Sequence, residues 1–375
     1  MPKEKQKTRK FNLKKIREGS AEIFIPEEQK ISKKLPVFYN PIMKFNRDTT
    51  VLLLKQFPPL QLCDPLAGTG IRSIRCAKEL KYTSITANDM NKKSVVLMKK
   101  NMKHNHVHFT VENKDANLLL LESSGFDFID LDVFGSPNFL LDSAIKRLSR
   151  RGLLALTATD TAPLCGTYPD ACRRKYWADP LRNELMHECG LRILIRKAQL
   201  IGAQYDRALT PVFSYSKDHY MRAILSSEKS KQACNTILKQ HQHFLYCKNC
   251  LDQKTSQTND KACKECKKPM IVAGPLWTGQ LNDKDIIKKM AREKMNEETK
   301  KFIIMLNEES QQSDIGFIDL HTLSRKTKRN IPKIEDALKK LKATGFTAAR
   351  THFSPYAIKT NATAKQFTQL FDAHP

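Results

Sequence analysis

Between Leu60 and Ser227, short apolar runs alternate with longer amphipathic stretches. Residues 60–63, 84–87, 109–111, 128–131 and 153–158 have the length and aliphatic content of buried strands. Residues 71–80, 92–103 and 138–148 repeat apolar side chains at helical spacing, which gives each one apolar face. A longer helical pattern over 181–205 leads into two β-rich runs, 209–214 and 220–225, and the polar Ser216-Lys217-Asp218 between them predicts an antiparallel hairpin. Alternation of this kind yields a parallel sheet covered by helices on both faces. The prediction is therefore a doubly wound, Rossmann-like α/β sheet of five units, closed by an antiparallel hairpin.

Beyond the hairpin the pattern changes. Residues 229–242 are polar and helix-compatible, a cysteine quartet follows, and Gly274-Pro275-Leu276-Trp277 marks a turn. Two further helical stretches, 285–306 and 332–342, flank a segment that ends at Arg350. The chain thus reads as a basic extension over 1–35, an α/β domain over 36–230 and a smaller carboxyl-terminal α/β domain over 231–375, the last with a winged-helix-like part.

Composition narrows the class of partner. Over 375 residues, 65 Lys and Arg face 39 Asp and Glu, a formal net charge of +26 spread along the chain, so the surface attracts a polyanion. The amino end concentrates Lys3, Lys5, Lys7, Arg9, Lys10, Lys14, Lys15 and Arg17, which suits either a phosphate-seeking arm or a solvated terminus. No apolar run of about 18 residues exists to span a bilayer, and no signal-like segment opens the chain, so a cytoplasmic protein without membrane contact is expected; a monomer is the expected state. Six of the ten cysteines are scattered in apolar contexts. The other four, Cys247, Cys250, Cys263 and Cys266, form C-x2-C-x12-C-x2-C, the spacing of a structural zinc site.

The first unit carries a ligand signature. In LQLCDPLAGTGIR, residues 60–72, Gly68 and Gly70 form a tight turn between a strand and a helix, where a Cβ would obstruct a ligand. Asp89 ends the next strand about 20 residues further on, where a carboxylate can hold ribose hydroxyls. Asp115 and Ala116 follow the third strand, a place where methyltransferases commonly grip adenine through a carboxylate and a backbone amide. A nicotinamide enzyme would carry a third glycine where Ser73 stands. S-adenosylmethionine has no pyrophosphate to cradle and does not require it.

The fourth strand ends in FDFIDLDVFGSP, residues 126–137. Carboxyl ends of strands face the ligand in such sheets. An exocyclic amine conjugated into a base is a poor nucleophile, so an acceptor must draw on its proton as the lone pair attacks a sulfonium methyl. Asp132 fits that role, Phe134 can stack on the base, and Asp130 is read as structural.

Seven segments together carry a specific resemblance: VFYNPIMKFNRD (37–48), DPLAGTGIRSIR (64–75), DFIDLDVFGSP (127–137), TATDTAPLCG (157–166), PLRNELMHECGLRIL (180–194), KDHYMR (217–222) and RTHFSPYAIKT (350–360). The chain resembles the tRNA guanine-26 N2-dimethyltransferases, a class I S-adenosylmethionine-dependent methyltransferase family, over nearly its whole length. The resemblance implies that Arg47 and Arg72 contact the cofactor, that Phe38 and Phe134 sandwich the target guanine, and that Asp132 takes the amine proton. It also implies tRNA as substrate, with one or two methyl groups added. One position departs from the family pattern Asp-Pro-Phe-Gly: Val133 stands where the proline is usual, which restores an N–H and frees φ. Competing readings are an adenine N6 or guanine N2 methyltransferase of ribosomal RNA or DNA, and a non-catalytic RNA-binding protein. Candidate RNA contacts are Arg173-Arg174-Lys175 beside Tyr176-Trp177, and the basic run 325–329.

Overall fold

The computed structural model describes residues 12–27, 35–258, 262–312, 315–330 and 332–372. Lys3, Lys5, Lys7, Arg9 and Lys10 of the basic amino end lie outside the described residues. Two compact units divide the chain, the first ending at Asp130 and the second beginning at Leu131.

The first unit opens with a hairpin, β1 (Leu13–Glu18) and β2 (Ala21–Pro26), followed by α1 (Lys44–Leu54). Then come β3 (Leu60–Asp64), α2 (Ile71–Glu79), β4 (Tyr82–Asn88), α3 (Lys92–His104), β5 (Thr110–Glu112), α4 (Ala116–Glu122) and most of β6 (Phe126–Asp132). Strand β3 pairs in parallel with both β4 and β6, and β4 with β5. Leu62, Ile85, Ala87, Phe128 and Ile129 are buried in its core. The second unit continues with α5 (Asn138–Arg147), β7 (Leu148–Ala158), α6 (Thr161–Leu164), α7 (Pro169–Tyr176), α8 (Met186–Ala203), β8 (Arg207–Lys217) and β9 (Tyr220–Lys229). In hydrogen-bonding order the large sheet reads β5-β4-β3-β6-β7-β9-β8, and β9 runs antiparallel to both of its neighbours. The closing hairpin read from the sequence is therefore present, with its second strand placed inside the first.

The remainder of the second unit holds two small sheets. Helix α9 (Lys231–Lys239) leads to β10 (His241–Tyr246), β11 (Gln253–Ser256) and β12 (Ile271–Trp277), in the order β11-β10-β12. Helices α10 (Lys284–Met290) and α11 (Glu297–Ser310) occupy the stretch whose periodicity suggests one helix. The chain restarts at Asn296, whose side chain accepts the Thr299 N–H, with Glu297 and Glu298 in the electropositive first turn. Strand β13 (Ile318–Asp319), α12 (Leu320–Thr327), α13 (Ile334–Ala343), β14 (Ala348–Thr351) and β15 (Ser354–Thr360) follow, with sheet order β13-β15-β14, and α14 (Ala364–Asp372) closes the chain. From α11 to β15 this is the connectivity of a winged helix. Among the described residues no helix is long and apolar enough to cross a membrane.

Residues 13–26, inside the segment read as a basic extension, are integrated into the first unit. Asn101 accepts the Phe24 N–H and donates to the Phe24 carbonyl, at 2.8 and 3.0 Å. One turn further along α3, Asn105 does the same for Glu22, at 3.0 and 2.7 Å. Two asparagines at i, i+4 thus stand in for a neighbouring strand along the edge of β2. At the hairpin turn Glu18 is buried and takes Arg47 in a two-toothed pair, Nε–Oε1 and Nη2–Oε2 both 2.7 Å, with Arg75 Nη1 at 3.1 Å. Burial alone would raise the pKa of Glu18, but the two guanidiniums outweigh it and hold the carboxyl at about 2.

Removing one partner of a buried ion pair strands the other charge. Glu18→Gln is expected to cost about 3–5 kcal/mol in urea unfolding at neutral pH. The folded-state pKa of Glu18 lies below its ordinary value of 4.5, so this contribution is complete above pH 4.5 and is lost as pH falls towards 2. The variant's stability should accordingly vary less with pH across that window than the parent's.

Candidate functional site

Strand β3 delivers the chain into a turn whose geometry depends on glycine. Gly68 has φ +54°, and a Cβ there would lie 2.8 Å from the Phe38 carbonyl oxygen. Gly70, in the same left-handed region, immediately precedes α2. Asp89, just past β4, spans the turn: Oδ2 accepts the Gly68 N–H at 2.9 Å and Oδ1 the Asn91 N–H at 2.8 Å. Burial raises the pKa of Asp89, and those two N–H groups counteract the rise only partly. Asp115 caps α4, with Oδ1 accepting from Asn117 N at 2.9 Å and Leu118 N at 3.2 Å, and the buried Ala116 starts the helix.

The residue that gathers these loops is Asn88, which the sequence reading missed. Fully buried, it donates to the carbonyls of Pro65 and Lys114, both at 3.0 Å, and accepts the Lys114 N–H at 2.9 Å. One amide thereby ties the turn after β3 to the loop after β5, bringing Gly68, Asp89 and Asp115 to one end of the sheet. Met90 and Leu118 leave apolar side chains exposed there, beside a carboxylate held by backbone amides. An adenosyl group needs that combination, apolar surface for the base and a carboxylate for the ribose.

Arg47 and Arg72 are both buried, and each is matched internally. Arg47 pairs with Glu18 as described and also donates to the Asn40 carbonyl. Arg72 pairs with Asp130 at 2.9 Å and donates to Asn46 Oδ1 at 3.0 Å. Phe38 is partly exposed, and its carbonyl closes against Gly68. Asp130 and Asp132 lie two apart on one strand and so share a face. Burial separates them: Asp130 is wholly enclosed on Arg72, whereas Asp132 at the strand end is half-buried.

In the second unit, Val133 is buried and Phe134 is 56% exposed. Gly135 and Thr159 exchange two hydrogen bonds, Gly135 N to Thr159 Oγ1 at 2.7 Å and Thr159 N to the Gly135 carbonyl at 3.0 Å. Asp132 also adds to the forces that keep the buried phenol of Tyr220 protonated, although burial is the main one. Tyr220 and Thr159 lie within the family-like segments 217–222 and 157–166, and that is the signal that could have marked them. The proposed RNA contacts Arg173 and Lys175 are paired with Asp170, Asp179 and Asp160.

The four cysteines converge, with all Sγ atoms within 4.8 Å of one another. Two near-identical knuckles bring them there. Cys247 N bonds to the Asp252 carbonyl and Leu251 N to the Cys247 carbonyl, while Cys263 N bonds to Lys268 and Lys267 N to Cys263, all at 2.9 Å. Leu251 and Lys267 both turn through positive φ, +61° and +62°. A closed set of four thiols suits a structural Zn2+.

This strand order, with a glycine turn after the first strand and carboxylates at the ends of the second and fourth strands, defines a class I methyltransferase-type domain. A family model described as "TRM: N2,N2-dimethylguanosine tRNA methyltransferase" matches residues 19–372, and the chain belongs to that family. It is 38% identical to the tRNA (guanine(26)-N(2)/guanine(27)-N(2))-dimethyltransferase of Aquifex aeolicus, covering 92% of each chain. It is also 38% identical to the tRNA (guanine(26)-N(2))-dimethyltransferase of Pyrococcus furiosus, over 96% of this chain and 98% of that one. Trm1 from Pyrococcus horikoshii, solved with S-adenosyl-L-methionine, aligns with a TM-score of 0.85 at 36% identity, covering 96% of this chain and 99% of that one.

Because Gly68 combines positive φ with a close backbone contact, Gly68→Ala should lower stability by roughly 1–3 kcal/mol. Gly135→Ala meets no atom within 4 Å and suffers only the backbone penalty. Thermal unfolding of the pair should place Gly68→Ala below Gly135→Ala.

Proposed function

We propose that this protein transfers one or two methyl groups from S-adenosylmethionine to the exocyclic N2 of guanine 26 in tRNA. The observation that carries the reading is the pairing, at one strand end, of a half-buried acid with an exposed aromatic, Asp132 and Phe134, in a chain that belongs to this family. Bound S-adenosylmethionine would supply an electrophilic methyl on sulfur. Asp89 would hold the ribose hydroxyls, the Asp115-Ala116 turn the adenine, and the Gly68 and Gly70 turn would allow close approach. Glu18 and Asn40 engage Nε and Nη2 of Arg47. We assign the Nη1 edge to the methionine carboxylate, with Arg72 adding a second positive charge.

Phe38 and Phe134 would stack the guanine between them. Asp132 accepts the proton that N2 loses as its lone pair attacks, which prevents a cationic product from building up on a conjugated amine. Residues 36–230 are assigned to this chemistry and 231–375 to docking of the tRNA, whose phosphates the net positive charge attracts. We further assign a Zn2+ to Cys247, Cys250, Cys263 and Cys266, where it would hold the two knuckles together.

Transfer of tritium from labelled S-adenosylmethionine to a tRNA transcript tests the reading. Asp132→Ala should lower transfer by about 10²- to 10⁴-fold, and a transcript with adenine at position 26 should take no label. Label on that transcript would place the target elsewhere. In purified protein, elemental analysis should find one zinc per chain, lost together with thermal stability in Cys263→Ser.

A further inference from the structure

A loop that presents a carboxylate and a stacking aromatic to a substrate must itself be fixed, because a misplacement of about 1 Å can cost 10²-fold in rate. The polar groups of the loop after β6 lead to the end of helix α7. The hydroxyl of Tyr176 lies 2.6 Å from Asp160 Oδ1 and 3.0 Å from Ser136 Oγ. A phenol has one proton, and the carboxylate can only accept, so Tyr176 donates to Asp160 and receives the Ser136 hydroxyl proton. Burial of the Tyr176 ring, with Asp160 alongside, raises the phenol's pKa far above its ordinary value and keeps it a neutral donor. Lys175 holds the other Asp160 oxygen at 3.2 Å, and its carbonyl accepts the Asn138 side-chain amide at 2.8 Å.

The helix end is anchored in turn. Trp177, left-handed at φ +57°, gives its carbonyl to Arg196 at 3.1 Å, and the Lys197 ammonium lies over its ring. Asp179 exchanges two backbone hydrogen bonds with Gly274 of β12, at 2.8 and 2.7 Å. The segment 169–179 is therefore tied to α8 and β12 on one side and grips Ser136 and Asn138 on the other.

We propose that Tyr176 is a positioning residue for the transfer reaction: its hydroxyl, relaying from Ser136 to Asp160, sets the conformation of the loop that carries Phe134 and directly follows Asp132. The rate consequence rests on the methyl-transfer reading above, whereas the conformational one does not. Tyr176 is fully buried, so its effect passes through the loop alone.

Tyr176→Phe removes one oxygen and leaves the buried ring, and Ser136→Ala cuts the same relay from the loop side without altering α7. Hydrogen–deuterium exchange on the peptide spanning 133–140 should rise about 10-fold or more in both variants, while peptides from α8 and β9 remain as in the parent. In single-turnover assays at saturating enzyme, both variants should transfer label roughly 10- to 100-fold more slowly. Their dissociation constants for S-adenosylmethionine and tRNA should stay within about 3-fold of the parent, and Ser136→Thr should restore the rate. Unchanged exchange over 133–140 would overturn the proposal even if the parent proved inactive on tRNA. So would a rate loss that merely follows weakened tRNA binding or a lowered melting temperature. An inactive parent with the expected exchange pattern would instead overturn the tRNA reading and leave the positioning role standing.

Discussion

Three guanidiniums buried in the first unit, those of Arg47, Arg72 and Arg75, dictate how the elements around the glycine turn assemble. A charge taken out of water is costly unless a counter-charge is brought to meet it. Here the partners come from separate parts of the chain: Glu18 from the amino-terminal hairpin, Asp48 from α1, Glu79 from the end of α2 and Asp130 from β6. Any arrangement that leaves one of these elements away strands a positive charge. The hairpin, α1, α2 and β6 are therefore committed to one geometry, in which Phe38 closes on Gly68 and Asp89 reaches the turn.

The same economy recurs in the second unit. Glu188 on α8 is enclosed by Arg192 and by Lys359 of β15, each at 2.9 Å. Glu309 on α11 takes the Thr351 hydroxyl, the His352 N–H and the His352 ring. His352 Nε2 accepts the Ser216 N–H at 3.3 Å, so the ring's proton sits on Nδ1, facing Glu309. Buried polar groups thus fasten the winged-helix elements onto α8 and β8, whereas apolar contact alone would hold them with less directional preference.

The difference between the enclosed carboxylate of this strand and the one proposed to accept a proton is a matter of place along it. Asp130 and Asp132 share a face of β6, yet Asp130 is sealed on Arg72 and Asp132 stands half-exposed at the strand end beside Phe134. The polar fasteners Thr159 on Gly135 and Tyr176 on Ser136 hold the loop that follows Asp132. Asn88 has the corresponding role at the glycine turn. Each is a residue whose value lies in what it holds still.

Much of this was legible in the chain because the signals are local. The periodicity of apolar residues marked every strand of the large sheet and its closing hairpin, the glycine spacing marked the tight turn that Asp89 spans, and the cysteine spacing marked a four-thiol cluster. Seven short segments marked the family. Local pattern could not reveal that Asn101 and Asn105 serve as a surrogate strand for β2, that Arg47 and Arg72 spend donors on Glu18 and Asp130, or that Tyr176 reaches Ser136. Nor did it show the helix break before Asn296. Spacing along a chain reports which face a side chain takes, and that suffices for strands, turns and knuckles. Which buried charge meets which, and which hydroxyl finishes a loop, depends here on pairs of residues 29 to 83 positions apart, and folding alone decides it.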